Sequence, residues 1–279
     1  MGSLTKKKLA IFAKVSLLGI AICAIPGVTS SASSDCLAIP EHVVPFGKVS
    51  KASMQKWFPG LRYATNVHRL SIENGLVGGR SIRQLFVPTE NGSERVLAGF
   101  EIAPASTYSL IQTIRFNNDF DWGGKYEVGK VGFGLGGGSV PSGGETRHDG
   151  FSARLVWLGD NRGEASLAAY VYSADRDQNL PFGDVYKVEG FTIIPDEWFE
   201  VELVVTVNSD LNTANGSLVV VVNDEIRFQR DNILWQKSGN QPVVDEMTYA
   251  SFYGGNSSEF SPELTTDANI ANVCLNALQ

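Results

Sequence analysis

From about residue 80 to the C-terminus, short runs rich in β-branched and aromatic residues alternate with turn-forming residues, and no run is long enough for a substantial helix. The runs are 80–87, 108–116, 151–158, 167–173, 198–207, 217–222, 225–229 and 249–253. Such side chains fit a pleated, half-buried surface. Glu90-Asn91-Gly92, Asn215-Gly216 and Asn223-Asp224 lie between runs and carry turn chemistry, because glycine and asparagine tolerate left-handed backbone conformations. The best short helix candidate covers residues 50–58. There is no repeat of fixed period and no linker. The expectation is an all-β protein, a single β-jelly-roll sandwich.

The first 32 residues read differently. Lys6, Lys7 and Lys8 precede an apolar stretch over residues 9–25, broken only by Lys14, and Ser30-Ser31-Ala32 offers small residues at cleavage spacing. This pattern predicts a signal peptide over residues 1–32 and a mature domain over 33–279. No other apolar run approaches the roughly 20 residues needed to cross a bilayer. The expected location is therefore outside the cytoplasm, extracellular or periplasmic, with no membrane attachment after cleavage. Removal of the leader takes away four lysines and no carboxylate, moving the formal charge from −7 to −11. Such a balance argues against nucleic acid or an anionic membrane as partner. Of three cysteines, Cys36 and Cys274 remain. In an oxidising compartment a disulfide between them is expected.

Side chains alternate across a strand with period two. Along 151–158, Ser152 and Arg154 therefore share a face with Val156, while Phe151, Ala153, Leu155 and Trp157 share the other. Tyr170 and Tyr172 likewise share a face with Ala168. Neighbours on one face lie roughly 6.5–7 Å apart, about one sugar ring, so Ser-x-Arg and Tyr-x-Tyr can line one concave sheet.

Several enzyme signatures are missing: no Gly-x-Ser-x-Gly elbow, no His-Glu-x-x-His, no Cys-x-x-Cys and no Walker sequence. The Glu-x-Asp-x-x-Glu spacing used by some sandwich glycosidases is missing too. Residues 132–137 match Gly-x-Gly-x-x-Gly, but no helix follows and no βαβ unit surrounds them, so a tight loop with close backbone packing is expected. The histidines, His42, His68 and His148, lack metal-ligand spacing. His148, just ahead of the Ser-x-Arg strand, is a candidate for substrate contact at the site's edge.

Five segments in order carry more information. Phe120-Asp121-Trp122 precedes Gly129-Lys130-Val131-Gly132-Phe133-Gly134-Leu135-Gly136-Gly137. Phe151-Ser152-Ala153-Arg154-Leu155-Val156-Trp157, Tyr170-Val171-Tyr172 and Phe252-Tyr253-Gly254-Gly255 follow. This series resembles polysaccharide lyase family 14, with its Phe–acidic–Trp run, Gly-Lys-Leu-Pro-Gly-Leu loop, Phe-Ser-x-Arg-x-x-Trp and Tyr-x-Tyr strands, and late Phe-Phe-Gly-Gly. Val131-Gly132-Phe133 stands where Leu-Pro is usual. Lys125 is a second lysine in the region and a further candidate for substrate contact; the following Gly-Leu-Gly-Gly favours Lys130 as the loop lysine.

The resemblance implies a jelly roll that cleaves polyuronates, chiefly alginate and in some members glucuronan, by β-elimination, with Lys130, Ser152, Arg154, Tyr170 and Tyr172 as the catalytic set. The chemistry suits those residue types. The C5 proton is weakly acidic until the adjacent carboxylate is neutralised. Lys130 and Arg154 supply charge, and Ser152 a hydrogen bond. A tyrosine can act as base or acid where its surroundings tune its pKa. No cofactor or metal is expected, an acidic polysaccharide is the expected partner, and a monomer the expected state. The competing expectation is a carbohydrate-binding β-sandwich without catalysis, which turnover would separate from a lyase.

Overall fold

Alternation of apolar and polar side chains decides the architecture. In Phe199–Thr206, Phe199, Val201, Leu203 and Val205 are buried while the residues between them are not; in Gly216–Val222, Leu218, Val220 and Val222 behave likewise. A face of this kind needs a second layer to cover it. The computed structural model describes residues 46–76, 79–177 and 180–278; the expected signal peptide and Cys36 lie outside them.

Along the chain, β1 (Gly47–Lys48) precedes helix α1 (Lys51–Trp57), followed by β2 (Leu61–Thr65), β3 (Leu70–Asn74) and β4 (Arg80–Phe86). Next come β5 (Pro88–Thr89), β6 (Gly92–Ser93), β7 (Val96–Ala105), β8 (Thr107–Phe116), β9 (Val128–Lys130) and β10 (Phe133–Gly138). Then follow β11 (Gly150–Gly159), β12 (Ala165–Tyr172), β13 (Asp184–Lys187) and β14 (Phe199–Thr206). The series ends with β15 (Gly216–Val222), β16 (Glu225–Ile233), β17 (Val244–Tyr253) and β18 (Thr266–Leu278).

Two large antiparallel sheets form the sandwich. One runs β1-β3-β4-β18-β8-β14-β15-β16, the other β13-β12-β11-β10-β17-β7-β2, with β9 paired to β11 and β17. The chain crosses repeatedly between them, so each sheet is assembled from distant segments in a jelly-roll-like arrangement. Between the layers, Phe86 and Phe116 of the first sheet meet Trp157 and Tyr253 of the second, with ring centroids 5.5–5.7 Å apart and Phe120 wedged among them, 5.4 Å from Trp157. Edge-to-face contacts of this kind add to the burial of large aromatic surfaces. Helix α1 begins at Ser50, whose hydroxyl accepts from the Ser53 N–H at 3.0 Å while Ser53 returns the bond. At its other end buried Phe58 packs on Phe100, centroids 4.4 Å apart.

The expected strands all occur, with ends shifted by a few residues. Asn223 and Asp224 both take positive φ, 49° and 64°, as a tight turn between β15 and β16 requires. One expectation is corrected: residues 132–137 are no loop, because Phe133–Gly138 is a strand in the middle of the second sheet, paired with β11 and β17. Glycines on its groove side leave room for the side chains of Arg154 and Val140 to lie over the sheet there.

Candidate active site

The second sheet shows one face to the core and the other to a groove of about 530 Å³. On β11, Phe151, Ala153, Leu155 and Trp157 enter the core, which aims Ser152, Arg154 and Val156 at the opposite face. Strand β12 pairs in a register that sets Ser152 opposite Tyr172 and Arg154 opposite Tyr170. On the other flank of β11, Gly134 of β10 lies under Arg154, where a Cβ would come 3.1 Å from the arginine Cγ. Gly134 pairs with Thr248 of β17, Thr248 with Gly99 of β7, and Gly99 with Tyr63 of β2. A single row thus crosses the floor from Tyr170 to Tyr63.

Lys130 reaches this floor through a break in the central strand. At Gly132, with φ of 76°, the backbone turns between β9 and β10, and Gln112 of the other sheet fills the gap. Gln112 accepts from the Phe133 N–H and donates to the Phe133 carbonyl, both at 2.8 Å. Beyond the break Lys130 pairs with Val156 on one side and Phe252 on the other. Its ammonium sits 4.4 Å from the Tyr170 ring centroid and 4.6 Å from that of Phe252. Among the described residues it has no ion pair. Burial, then the positive charges of Arg154 and Arg95, push its pKa down to about 7.

The two tyrosines form a pair. Their hydroxyls lie 3.1 Å apart, each also accepts a backbone N–H, from Gly183 at 2.9 Å for Tyr170 and from Gly144 at 2.8 Å for Tyr172. Two hydroxyl protons are available and one serves the Tyr–Tyr bond, so one remains for a ligand. Both line the groove, Tyr172 only 2 % exposed and Tyr170 half-buried. Tyr170, the more exposed of the two, is the better placed to offer it. Burial raises the Tyr170 pKa above the ordinary phenol value, with the Tyr172 hydrogen bond adding to it, and the phenol stays protonated.

Arg154 is 7 % exposed, donates to the Pro141 carbonyl at 3.3 Å, and leaves its Nε unpartnered. Ser152 is fully buried and donates to the same carbonyl at 3.1 Å. It holds the 139–144 segment over the floor, which differs from the expectation that it faces a ligand directly. Two further expectations are corrected. Lys125 is exposed and paired with Glu259 at 2.7 Å, and it does not line the groove. His148 also lies off the groove lining, its carbonyl accepting from the Lys237 and Ser238 N–H groups at the end of the sheet. Sequence reasoning missed Arg95 and Thr248, which belong to the lining. Neither carries a local signal: Thr248 arrives by the pairing of β17 with distant strands, and Arg95, in the short link before β7, is held by the Gly255 carbonyl of a distant segment at 3.0 Å.

Among the described residues, no group of three or more His, Cys, Asp or Glu side chains is placed to hold a metal ion, and no helix is long and apolar enough to cross a membrane. Cys274 is disulfide-bonded.

Comparison with solved structures places this fold among polysaccharide lyases. The alginate lyase Aly36B superimposes with a TM-score of 0.75 at 20% identity, covering 88% of this chain and 98% of that one. A variant of Aly36B with one lysine and one tyrosine replaced by alanine is known in complex with an alginate tetrasaccharide. The marine PL-14 alginate lyase from Aplysia kurodai gives 0.67 at 16% identity, over 84% of this chain and 97% of that one. The endo-β-1,4-glucuronan lyase from the fungus Trichoderma reesei gives 0.54 at 10% identity, over 78% and 92%. These likenesses speak for the fold. A sequence search of curated proteins found no match. The family assignment comes from the sequence itself: residues 90–273, more than half of the chain, match the Polysaccharide lyase 14 family model, and this chain, an enzyme of the lyase class, belongs to polysaccharide lyase family 14.

Proposed function

We propose that this lyase is secreted and cleaves a polyuronate of the alginate or glucuronan kind by β-elimination, with Lys130 as base, Tyr170 as acid and Arg154 meeting the substrate carboxylate. The observation that carries the reading is Lys130: a buried amine on the groove floor, flanked by cationic groups and without a carboxylate partner. An amine held near a pKa of about 7 is neutral in a large fraction of molecules at neutral pH and is able to accept a proton. The sequence expectation used Lys130 as a cation; its surroundings support the base instead.

The remaining roles follow from unmet hydrogen bonds. Arg154 is buried with its Nε unsatisfied, and a uronate carboxylate offers the planar, bidentate acceptor that a guanidinium fits. Neutralising that carboxylate acidifies the adjacent C5 proton. The proton passes to the Lys130 amine, the C5–H electron pair becomes the C4=C5 double bond, and the C4–O4 bond breaks. Tyr170 gives its free proton to O4. The phenolate left behind is stabilised by the Gly183 N–H and the Tyr172 hydroxyl already bonded to it. The solved complexes of Aly36B with alginate oligosaccharides support the substrate class, and the leader-like residues 1–32 support export.

The test is turnover on polymannuronate, polyguluronate and glucuronan, followed by ultraviolet absorbance of the unsaturated product. Lys130→Ala is expected to lower turnover by about 10²–10⁴-fold, the usual worth of a positioned base. In the unsubstituted enzyme kcat/KM rises with pH through about 7, where Lys130 loses its proton, and then levels. A kcat/KM that falls through the same range would show that the charged amine is required, and would overturn the assignment.

A further inference from the structure

We propose that Tyr63 and Thr248 form a sugar-binding subsite at the β2 side of the groove floor, a stacking face beside a free hydroxyl, which grips a ring of the polymer beyond the one whose carboxylate meets Arg154. The inference rests on the reading of the groove as a polyuronate site.

Two independent observations carry it. Tyr63 belongs to the edge strand β2 and lies flat over its cross-strand partner Gly99, where a Cβ would collide with the tyrosine ring. An aromatic ring covering a strand glycine is a known structural prop, but a prop is covered in turn. Tyr63 is 42% exposed and lines the groove. Its hydroxyl is used elsewhere: it donates to Glu246 at 3.3 Å, and Glu246 is held by Arg62 at 3.2 Å. Glu246 is thus a positioning residue that pins the ring against the floor and leaves one face open. An exposed, immobilised aromatic face suits the apolar C–H face of a sugar ring and carries little ordering penalty, because the ring has few rotatable bonds and they are already restrained.

The second observation is Thr248. It lies directly opposite Gly99 in the β17–β7 register, beside the tyrosine face. It is 2 % exposed, lines the groove, and its Oγ1 has no hydrogen-bond partner. A buried hydroxyl without a partner is unfavourable until something supplies one. A ring stacked on Tyr63 presents its hydroxyls to that atom.

Position gives the subsite its consequence. Thr248 is two strands from Arg154, and Gly99 three, which at 4.7–4.9 Å per strand is on the order of 9–15 Å. The side chains close part of that distance, since the Tyr63 hydroxyl and the Arg154 guanidinium influence each other. The sugar ring on Tyr63 is thus a neighbour of the ring whose carboxylate meets Arg154, and the subsite acts only on chains that carry it.

The experiment uses oligomannuronates of two to six units with the full mature enzyme, folding being checked by thermal melting. The quantity read is the gain in kcat/KM on lengthening the chain. Tyr63→Ala is expected to remove about tenfold of that gain, the equivalent of about 1.4 kcal/mol. Thr248→Val is expected to remove a smaller part of it, and Tyr63→Phe, which keeps the stacking face, to retain most of it. An undiminished gain in Tyr63→Ala overturns the proposal. So does an equal fall at every chain length, which would mark Tyr63 as a prop for Gly99 and nothing more. Calorimetric titration of the same oligomers into Lys130→Ala, with and without Tyr63→Ala, reads binding apart from cleavage. If the wild-type enzyme yields no unsaturated product from mannuronate, guluronate or glucuronate oligomers, the assigned reaction fails, and calorimetry with the same three series still decides the subsite: equal affinity for the longest oligomers with and without the Tyr63 ring overturns it.

Discussion

At the scale of residues, the tyrosine pair shows how a division of labour arises between identical side chains. Both phenols accept a backbone N–H, share one hydrogen bond and line the groove, yet Tyr170 is the more exposed of the two. Tyr170→Phe removes the proton destined for O4, and turnover is expected to fall by about 10²–10⁴-fold. Tyr172→Phe removes a hydroxyl that braces Tyr170 and receives the Gly144 N–H. Its effect is expected to be smaller, about tenfold, and to come with a lower melting temperature because a buried N–H loses its acceptor. Steady-state kinetics and melting of the two variants side by side check this; equal kinetic losses would contradict the assignment. Ser-x-Arg and Tyr-x-Tyr were legible from the chain because period-two alternation is a local property. The bond from Ser152 to the Pro141 carbonyl was not, because it depends on how a neighbouring segment folds back.

At the scale of elements, the break between β9 and β10 is what lifts Lys130 onto the groove floor. Glycine-rich β10 has no β-branched residue and a single aromatic one, Phe133, and its pairing with β11 and β17 overrides that weak propensity. Strand β18, rich in Ala and Asn, escaped notice for the same reason, although it pairs with both β4 and β8. Gln112 is the hinge pin: buried in β8, it satisfies both backbone groups of Phe133. Gln112→Leu keeps the bulk but leaves a buried N–H and a buried C=O unpaired. At about 1–3 kcal/mol for each unsatisfied group, and roughly 2–4 °C per kcal/mol for a domain of this size, melting is expected to fall by several degrees. Turnover is expected to fall as well, since Lys130 follows directly upstream. A variant with unchanged melting and full activity would show that the break is set by other contacts.

At the scale of the whole molecule, an acidic protein carries a local cationic groove. The formal charge of −7, or −11 without residues 1–32, repels a polyanion over most of the surface. Attraction is confined to Arg95, Arg154 and whatever charge Lys130 carries. The Michaelis constant for polymeric substrate is therefore expected to rise between low and physiological salt, where screening lengths shrink to about 8–10 Å. A constant that ignores ionic strength would contradict an electrostatic capture step. The disulfide at Cys274 is expected to join Cys36, and peptide mapping without reduction checks it; Cys36 recovered as a free thiol in freshly purified protein would refute it. The class of fold, the short helix near residue 50, the faces of β11 and β12, and the order of motifs that mark the family are all legible along the chain. Each of these is encoded by neighbours within a few positions, through side-chain alternation, turn chemistry and capping. Sheet assembly is what sets Lys130 against two aromatic rings, Ser152 under a loop, and Tyr63, Gly99, Thr248 and Gly134 in one row with Arg154. Those facts depend on strand register between segments many residues apart, and register is set by the packing of two whole sheets, not by any single stretch of the chain.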